Sequence, residues 1–266
     1  MRTRRLAGLG LGVLATVALA VAGCSSDGGS SGTTATATPS SAPSSGAANP
    51  SAANALASAA AALDDTSFKI TITSGPGVNL TGLIDAPNHK GTATLKLTGP
   101  NAELRVKTLL VDQDLYVQVP GITKAGTWTH VDVSRLPEGA NTGLRPGQLD
   151  PANTAKLLTS TTDVQQVDSR SYKGTLDLTK VAGVTGADQV TVQSWGASAS
   201  QVPFTAGLDD QGRLSALTIQ PPAVNGKTSP PIEVLYTDYG TTVDAQRPPA
   251  SKITEAPANL YKSLGG

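Results

Sequence analysis

The sequence predicts an α+β fold in which one antiparallel sheet contains most of the domain and a few helices pack on it. From residue 68 to residue 119, apolar residues recur at every second position in five successive runs separated by short turns. This is the period of half-buried strands joined as hairpins. Helical spacing is confined to short segments before and after these runs. We expect eight to ten strands and two or three helices.

The first 23 residues are typical of an export signal, because Arg2, Arg4 and Arg5 precede an uncharged apolar run over residues 6–23. A run of this length could also remain as a membrane-spanning helix, and that alternative stays open. The stretch 21–24, Val-Ala-Gly-Cys, has the branched and small residues that a lipoprotein signal peptidase reads before a lipidated cysteine. Cys24 is therefore the predicted lipidation site and mature N-terminus. As the only cysteine, it has no disulfide partner in the chain.

Lipidation would tether the mature protein to the outer face of the cell membrane, because diacylglyceryl and palmitate chains bury many methylene groups. Residues 24–48 then form a lipid-anchored linker rich in Ser, Gly, Thr and Ala, predicted to be disordered with an end-to-end distance of roughly 25–30 Å. Without the three leader arginines, 17 basic residues face 20 acidic ones, a net charge of −3. No basic patch for nucleic acid is expected.

Residues 49–266 are predicted to form a single domain that begins with a helix. Asn49 and Pro50 suit the cap and the first turn, and Leu56, Ala60 and Leu63 then recur on one helix face. Asp150 and Pro151 form a similar pair before a short helix that contains Leu157 and Leu158. The stretch 136–148 is too rich in Gly and Pro to be regular, and residues 180–201 are expected to be a mobile connection.

Alternation of apolar and polar residues locates the strands and assigns each strand an apolar and a polar face. The apolar positions are Phe68, Ile70 and Ile72; Val78, Leu80 and Ile84; Ala93, Leu95 and Leu97; Ala102, Leu104 and Val106; Leu115, Val117 and Val119; Gly174, Leu176 and Leu178; Phe204, Ala206 and Leu208; Leu214 to Ile219; and Ile232, Val234 and Tyr236.

The residues that carry catalytic or metal chemistry are sparse. His89 lies in a predicted turn and His130 on a predicted strand, neither at a spacing typical of zinc ligands. The chain has no G-x-S-x-G nucleophile motif, and the stretch 224–229 lacks the first glycine of a phosphate-binding loop. The aspartate pairs 112/114 and 209/210 suit turn capping better than calcium binding. We therefore predict no enzyme, no metal site and no cofactor.

Six segments in this order resemble the LppX/LprAFG family of actinobacterial lipoproteins. They are LTGLIDAPNHKGTATLKLTG, LLVDQDLYVQVPG, WTHVDVSRL, LDPANTAKLL, YKGTLDLTKV and VLYTDYGTTVDAQRPP, within about residues 50–255. The resemblance implies a curved antiparallel sheet, an unclosed half-barrel wrapped around a few helices with an apolar cavity, similar to the LolA/LolB carriers. It also implies that the protein carries multi-acylated lipids or glycolipids across the cell envelope, with an envelope transporter as a further partner.

Composition alone favours a packed core, although only nine of 266 residues are aromatic. The resemblance instead favours a cavity lined by the apolar strand faces and one helix. Two alternatives remain: a surface interaction or assembly lipoprotein with a packed core and no lipid cargo, and, more remotely, a surface enzyme. The predicted lining is Ile70, Ile72, Leu80, Ile84, Leu95, Leu97, Leu104, Val106, Val117, Leu157, Leu158, Leu176 and Leu178.

Overall fold

A computed structural model of the chain describes residues 49–100, 102–136, 144–145, 148–181, 189–224 and 226–264. The predicted leader and linker lie outside these residues. The helices in the described part are α1 Pro50–Ala61, α2 Thr154–Leu158, α3 Gln189–Ser194 and α4 Ala258–Leu264. Within these ranges no helix combines the length and the apolar character needed to cross a membrane.

Fourteen strands are present in the described residues, several of them only two or three residues long. They are β1 Ser67–Ser74, β2 Val78–Asp85, β3 Lys90–Thr98, β4 Glu103–Val111, β5 Asp114–Gln118, β6 Trp128–Asp132, β7 Leu144–Arg145, β8 Gln148–Leu149, β9 Gln165–Gln166, β10 Ser171–Leu176, β11 Val202–Leu208, β12 Leu214–Ile219, β13 Ile232–Thr237 and β14 Ile253–Glu255.

Twelve of these strands form one open sheet in the order β14-β6-β5-β4-β3-β2-β1-β13-β12-β11-β10-β9, and β7 pairs with β8 separately. Strands β1 to β6 form an antiparallel meander, and the sequence predicts its first five strands. All the pairings are antiparallel except that of β14 with β6. The described chain therefore has an α+β fold with an unclosed, mixed but mainly antiparallel sheet and few helices.

The sheet has two distinct faces, because directly paired residues of antiparallel strands point to the same side. We call one side the helix-side face. It carries Phe68 and Ile70 of β1, Ile84 of β2 and Tyr236 of β13, and these residues share one buried cluster with Leu56 of α1. The other side, the outer face, carries mostly polar side chains on β2 to β4.

The predicted start of α1 is confirmed. Asn49 is the N-cap, its side-chain oxygen accepts a hydrogen bond from Ser51 N at 3.0 Å, and Pro50 occupies the first turn. Ala52, Leu56 and Ala60 are buried, so the helix packs through the face that the sequence indicates. Ala-rich composition lets the helix lie close to the sheet, since small side chains keep the backbones near each other.

Helix α2 begins three residues later than the Asp150-Pro151 pair suggests, so the predicted cap position is wrong. Asn153 is its N-cap, in a left-handed conformation with φ of 51°. The buried Asp150 carboxylate nevertheless accepts hydrogen bonds from Ala152 N at 3.2 Å and Ala155 N at 3.1 Å. Desolvation raises the pKa of Asp150 from 3.8 to about 6, although these backbone hydrogen bonds act to lower it.

Two further expectations are corrected. Leu178 is not in a strand but in a 3-10 helix, Leu178–Lys180, which follows the last residue of β10. The predicted mobile connection 180–201 contains α3 and a 3-10 helix, Gly196–Ser200, and buries Val192 and Ala199. Residues 182–188 of that connection lie outside the described part of the chain. The small polar residues of this stretch hide the helical spacing in the sequence. In the structure, packing of Val192 and Ala199 against the core stabilises the helices.

Residues 238–252, which we call the crossing segment, run between β13 and β14 over the outer face. Val243 and Ala245 are buried there against Leu109, Val111 and Tyr116, in a second apolar cluster separate from the helix-side one. Arg247 forms an ion pair with Asp114. The crossing segment brings β14 beside β6, a parallel pairing that hairpin connections cannot make.

Candidate functional site

The predicted lining residues of the sheet all lie on the helix-side face, and the structure divides the whole set by burial. One group is fully buried within the helix-side cluster, where its members pack against α1 and one another. It consists of Ile70, Ile84, Leu157, Leu158, Leu176 and Leu178. The first two and Leu176 come from the sheet, and the other three come from α2 and the 3-10 helix.

The second group is only half-buried and lies on neighbouring strands. Ile72 pairs with Leu80, Leu80 pairs with Leu95, and Leu95 pairs with Val106. Leu97 pairs with Leu104 one row further along. These strands therefore present a continuous apolar surface beside the packed core. We call it the apolar patch, made of Ile72, Val78, Leu80, Leu95, Leu97, Leu104, Val106 and Val117.

Val78 is the member that the predicted lining omits. It pairs with Leu97 and with Ser74, which places it on the helix-side face next to Leu80. The alternation of β2 already contained this signal, since Val78 and Leu80 are two residues apart.

Only Ile72 and Leu80 of the apolar patch pack against the helix-side cluster; Leu95, Leu97, Leu104, Val106 and Val117 belong to neither buried cluster of the described residues. Their strands are positioned by long ladders, with β3 and β4 paired from Lys90 to Thr98. A rigid, half-buried aliphatic surface of this kind can hold hydrocarbon by area and dispersion, without hydrogen bonds.

Outer-face side chains fix the register at the end of the sheet that carries the apolar patch. Glu103 lies 2.9 Å from Lys96 Nζ and 2.9 Å from Arg105 Nη2. These partners lower the pKa of Glu103, through hydrogen bonds first to Arg105 and then to Lys96. Shifting the register by one residue would bring these charges to the helix-side face, so the polar row specifies which face is apolar.

The outer face has an open cleft of about 730 Å³ beside the crossing segment. Its lining is mixed: Leu83, Leu109 and Trp128 are apolar, whereas three threonines of β2 and β3 and the charged residues Lys69, Lys107, Asp238 and Asp244 are polar. An acyl chain placed there would desolvate the Lys69–Asp238 ion pair and the charged groups of Lys107 and Asp244. Because of these four charged side chains, the cleft is a less favourable site for hydrocarbon than the apolar patch.

His130 has a structural environment. Its Nδ1 lies 2.8 Å from Glu255 Oε2, and its Nε2 lies 2.8 Å from Asp114 Oδ1. Burial acts to lower the pKa of His130, but the hydrogen bonds to Glu255 and Asp114 outweigh it and raise the pKa. Both ring nitrogens are occupied by carboxylates, so the ring joins β5, β6 and β14.

The aspartates considered for calcium binding have partners within the chain. His89 lies in the turn between β2 and β3, with φ of 49°. Asp209 accepts hydrogen bonds from Gln211 N and Arg213 N at 2.9 Å each, and Asp210 forms an ion pair with Arg170. Across the described ranges, no group of three or more His, Cys, Asp or Glu side chains is arranged to hold a metal ion.

No family model matches this chain, and no curated protein matches it. The resemblance drawn from the six sequence segments therefore stays a prediction. The functional argument rests on the apolar patch and on the fold that positions it.

Proposed function

We propose that this protein is a lipid carrier: an exported lipoprotein, anchored to the cell membrane through lipidated Cys24, whose domain holds acyl chains against the apolar patch. Its cargo would be a multi-acylated lipid or glycolipid that crosses the cell envelope, as the resemblance to the LppX/LprAFG family implies. The single observation that supports this proposal most is the half-buried aliphatic surface on consecutive strands next to a packed core.

We also propose that the sheet curves around α1 and α2 as an unclosed half-barrel. Ile84 of β2 and Leu176 of β10 belong to one buried cluster with Leu56 of α1. Four strands, β1, β13, β12 and β11, lie between β2 and β10 in the sheet order, and neighbouring strands are about 4.8 Å apart. A flat sheet would hold β2 and β10 about 24 Å apart, so curvature would let the same few helices cover both strands. The space beneath the curved sheet would be the cavity that the tails enter.

The energetics suit reversible binding. At about 0.8 kcal/mol per buried methylene, a 16-carbon tail is stabilised by about 12 kcal/mol relative to water. The same tail in a bilayer is already in hydrocarbon, so transfer from a membrane to the apolar patch is close to balanced. A carrier requires this balance, because it must release what it collects.

Leu95→Trp tests the role of the apolar patch. Leu95 is at the centre of this surface, between Leu80 and Val106. An indole there would exclude about three methylene groups of a tail, worth about 2.4 kcal/mol, so we expect lipid loading to fall roughly 50-fold. The matched control is Thr94→Trp, the same substitution on the adjacent residue of β3 with its side chain on the outer face.

The measurement is native mass spectrometry of the protein after purification and after incubation with dipalmitoylphosphatidylglycerol vesicles. Wild type and Thr94→Trp should carry lipid, while Leu95→Trp should be largely empty but folded by far-ultraviolet circular dichroism. Equal loading of the two variants would remove the apolar patch from the proposal. A wild-type protein that is empty and holds a stable protein partner would instead support an interaction lipoprotein.

A further inference from the structure

The loop between β5 and β6 presents a large apolar side chain to solvent. Ile122 is 82 % exposed, the largest exposure among the big apolar residues of the described chain. The loop is well organised: Ile122 N and Thr123 N donate to Val119 O at 3.0 and 2.9 Å, and Thr127 N donates to Lys124 O at 3.0 Å. Gly121 and Gly126 supply positive φ angles of 83° and 73°. The fold thus fixes Ile122 outward.

This loop lies at the same end of the sheet as the apolar patch. Register places the β5–β6 loop beside the turns that join β1 to β2 and β3 to β4. Leu97, Leu104 and Val78 are near those turns. We call this side of the sheet the Ile122 end. A single exposed isoleucine is ordinary on a protein surface. Because Ile122 lies at the same end as the apolar patch, one apolar partner could contact both.

Charge distinguishes the two ends of strands β1 to β6. The Ile122 end carries Lys96, Arg105, Lys107 and Lys124 against Glu103. Because Glu103 is the partner of both Lys96 and Arg105, Lys107 and Lys124 are the exposed amines left without a salt bridge in the described residues of this region. The opposite end carries Asp85, Asp112, Asp114 and Asp132 against Lys69 and Lys90. From the crossing segment, Asp238 pairs with Lys69 and Arg247 pairs with Asp112 and Asp114, so the acidic residues remain in excess.

We propose that the Ile122 end docks the domain on a bilayer surface, with Ile122 inserted at the level of the headgroups and the basic residues against anionic phospholipid. An apolar anchor flanked by cations is the composition that binds the membrane interface. The acidic opposite end would be repelled, so docking has one orientation. This inference rests on the proposed function, because it directs the apolar patch toward the membrane from which tails would come.

The test uses the mature, lipid-anchored protein in vesicles, with an environment-sensitive nitrobenzoxadiazole (NBD) probe on Ala125→Cys, an exposed position in the same loop. Cys24 is the only natural cysteine and would be blocked by its acyl chains, so labelling is specific. The matched probe is Val167→Cys, 59 % exposed and beside the first residues of β10 at the opposite end. On phosphatidylglycerol vesicles, the probe at 125 should shift to shorter wavelength and be quenched by nitroxide-labelled lipid, unlike the probe at 167.

Substitutions at the Ile122 end should change the fraction of docked protein by measurable factors. In the Ala125→Cys background, Ile122→Asp and the milder Ile122→Gln should lower the docked fraction at least about 10-fold, while Val167→Asp should leave it unchanged. Lys107→Gln and Lys124→Gln should each weaken docking about fivefold at low salt. Replacing phosphatidylglycerol by phosphatidylcholine, or adding salt, should weaken docking by more than about fivefold.

Equal water exposure of the two probes, or equal effects of Ile122→Asp and Val167→Asp, would overturn the docking proposal. Lipid occupancy is measured separately by native mass spectrometry. If the protein docks at the Ile122 end but carries no lipid, the docking proposal stands and the carrier proposal fails. If it carries lipid but does not dock, the carrier proposal stands and the docking proposal fails.

Discussion

Asp150→Asn is expected to stabilise the protein at neutral pH. Asp150 is buried beside α2, and its carboxylate accepts the N–H groups of Ala152 and Ala155. An asparagine side chain has a similar shape and carries no charge, but its one acceptor oxygen can serve only one of these two donors, which bind different carboxylate oxygens. The substitution therefore removes the cost of burying an ionised group and keeps one of the two hydrogen bonds at the start of α2.

The magnitude follows from the pKa of Asp150, which desolvation raises from 3.8 to about 6. Because the folded state holds this proton more tightly than the unfolded state does, the stabilisation is complete below the ordinary pKa and is lost as pH rises toward 6. At about 1.36 kcal/mol per pH unit, the difference corresponds to about 3 kcal/mol of lost stability by pH 7. Against this, asparagine has a pH-independent cost of about 2 kcal/mol, because one backbone N–H loses its acceptor and the amide N–H groups are unpaired.

The assay is urea unfolding of wild type and Asp150→Asn at half-unit steps from pH 3.5 to pH 7.5. We expect the variant's free energy of unfolding, relative to wild type, to increase by about 3 kcal/mol across this range, mostly between pH 4 and pH 6. Other groups that titrate there, including Asp64, largely cancel in the difference. A difference independent of pH, or one that grows toward acid, would show that Asp150 is not a buried carboxylate with a raised pKa.

Two further substitutions test the fold. His130→Gln should lower stability at pH 6 more than at pH 9: the pKa of His130 is raised, so the stabilisation by Glu255 and Asp114 is complete below 6.5 and is lost as pH rises through the folded-state pKa. Denaturant unfolding at both pH values measures this, and an effect that is equal at both would contradict an ionised His130. Gly174→Ala places a Cβ 2.8 Å from the Phe204 ring and 2.9 Å from Asp163 O, so we expect a loss of about 1–3 kcal/mol. Thermal unfolding measures it, with Gly207→Ala, whose nearest atom is the Ser215 hydroxyl at 3.1 Å, as the milder comparison.

The local pattern of the sequence located the strands well. Five alternating runs predicted β1 to β5, and the structure confirms each with small differences at its ends, such as β4 beginning at Glu103 and β5 ending at Gln118. Short turns between them predicted the hairpin order. These features depend on neighbours in the chain, where side-chain period and turn residues act directly.

The pairings between strands that are distant in the chain could not be predicted from the sequence. Nothing in residues 232–237 indicates that β13 adds to β1, or that β14 pairs in parallel with β6. Val243 and Ala245 anchor the crossing segment by burial alone, in a stretch whose prolines and polar residues are typical of a loop. Such contacts are decided by surfaces that meet only after the sheet has formed.

The candidate site divides in the same way. Alternation in the sequence determined which residues share the apolar face, from Ile70 on β1 to Val117 on β5. Only the tertiary structure decided which of them are packed, with Ile70 buried under α1 and Leu95 left half-buried beyond the core. The physical reason is that period fixes the direction of a side chain locally, whereas its burial depends on what other segments of the chain bring against it.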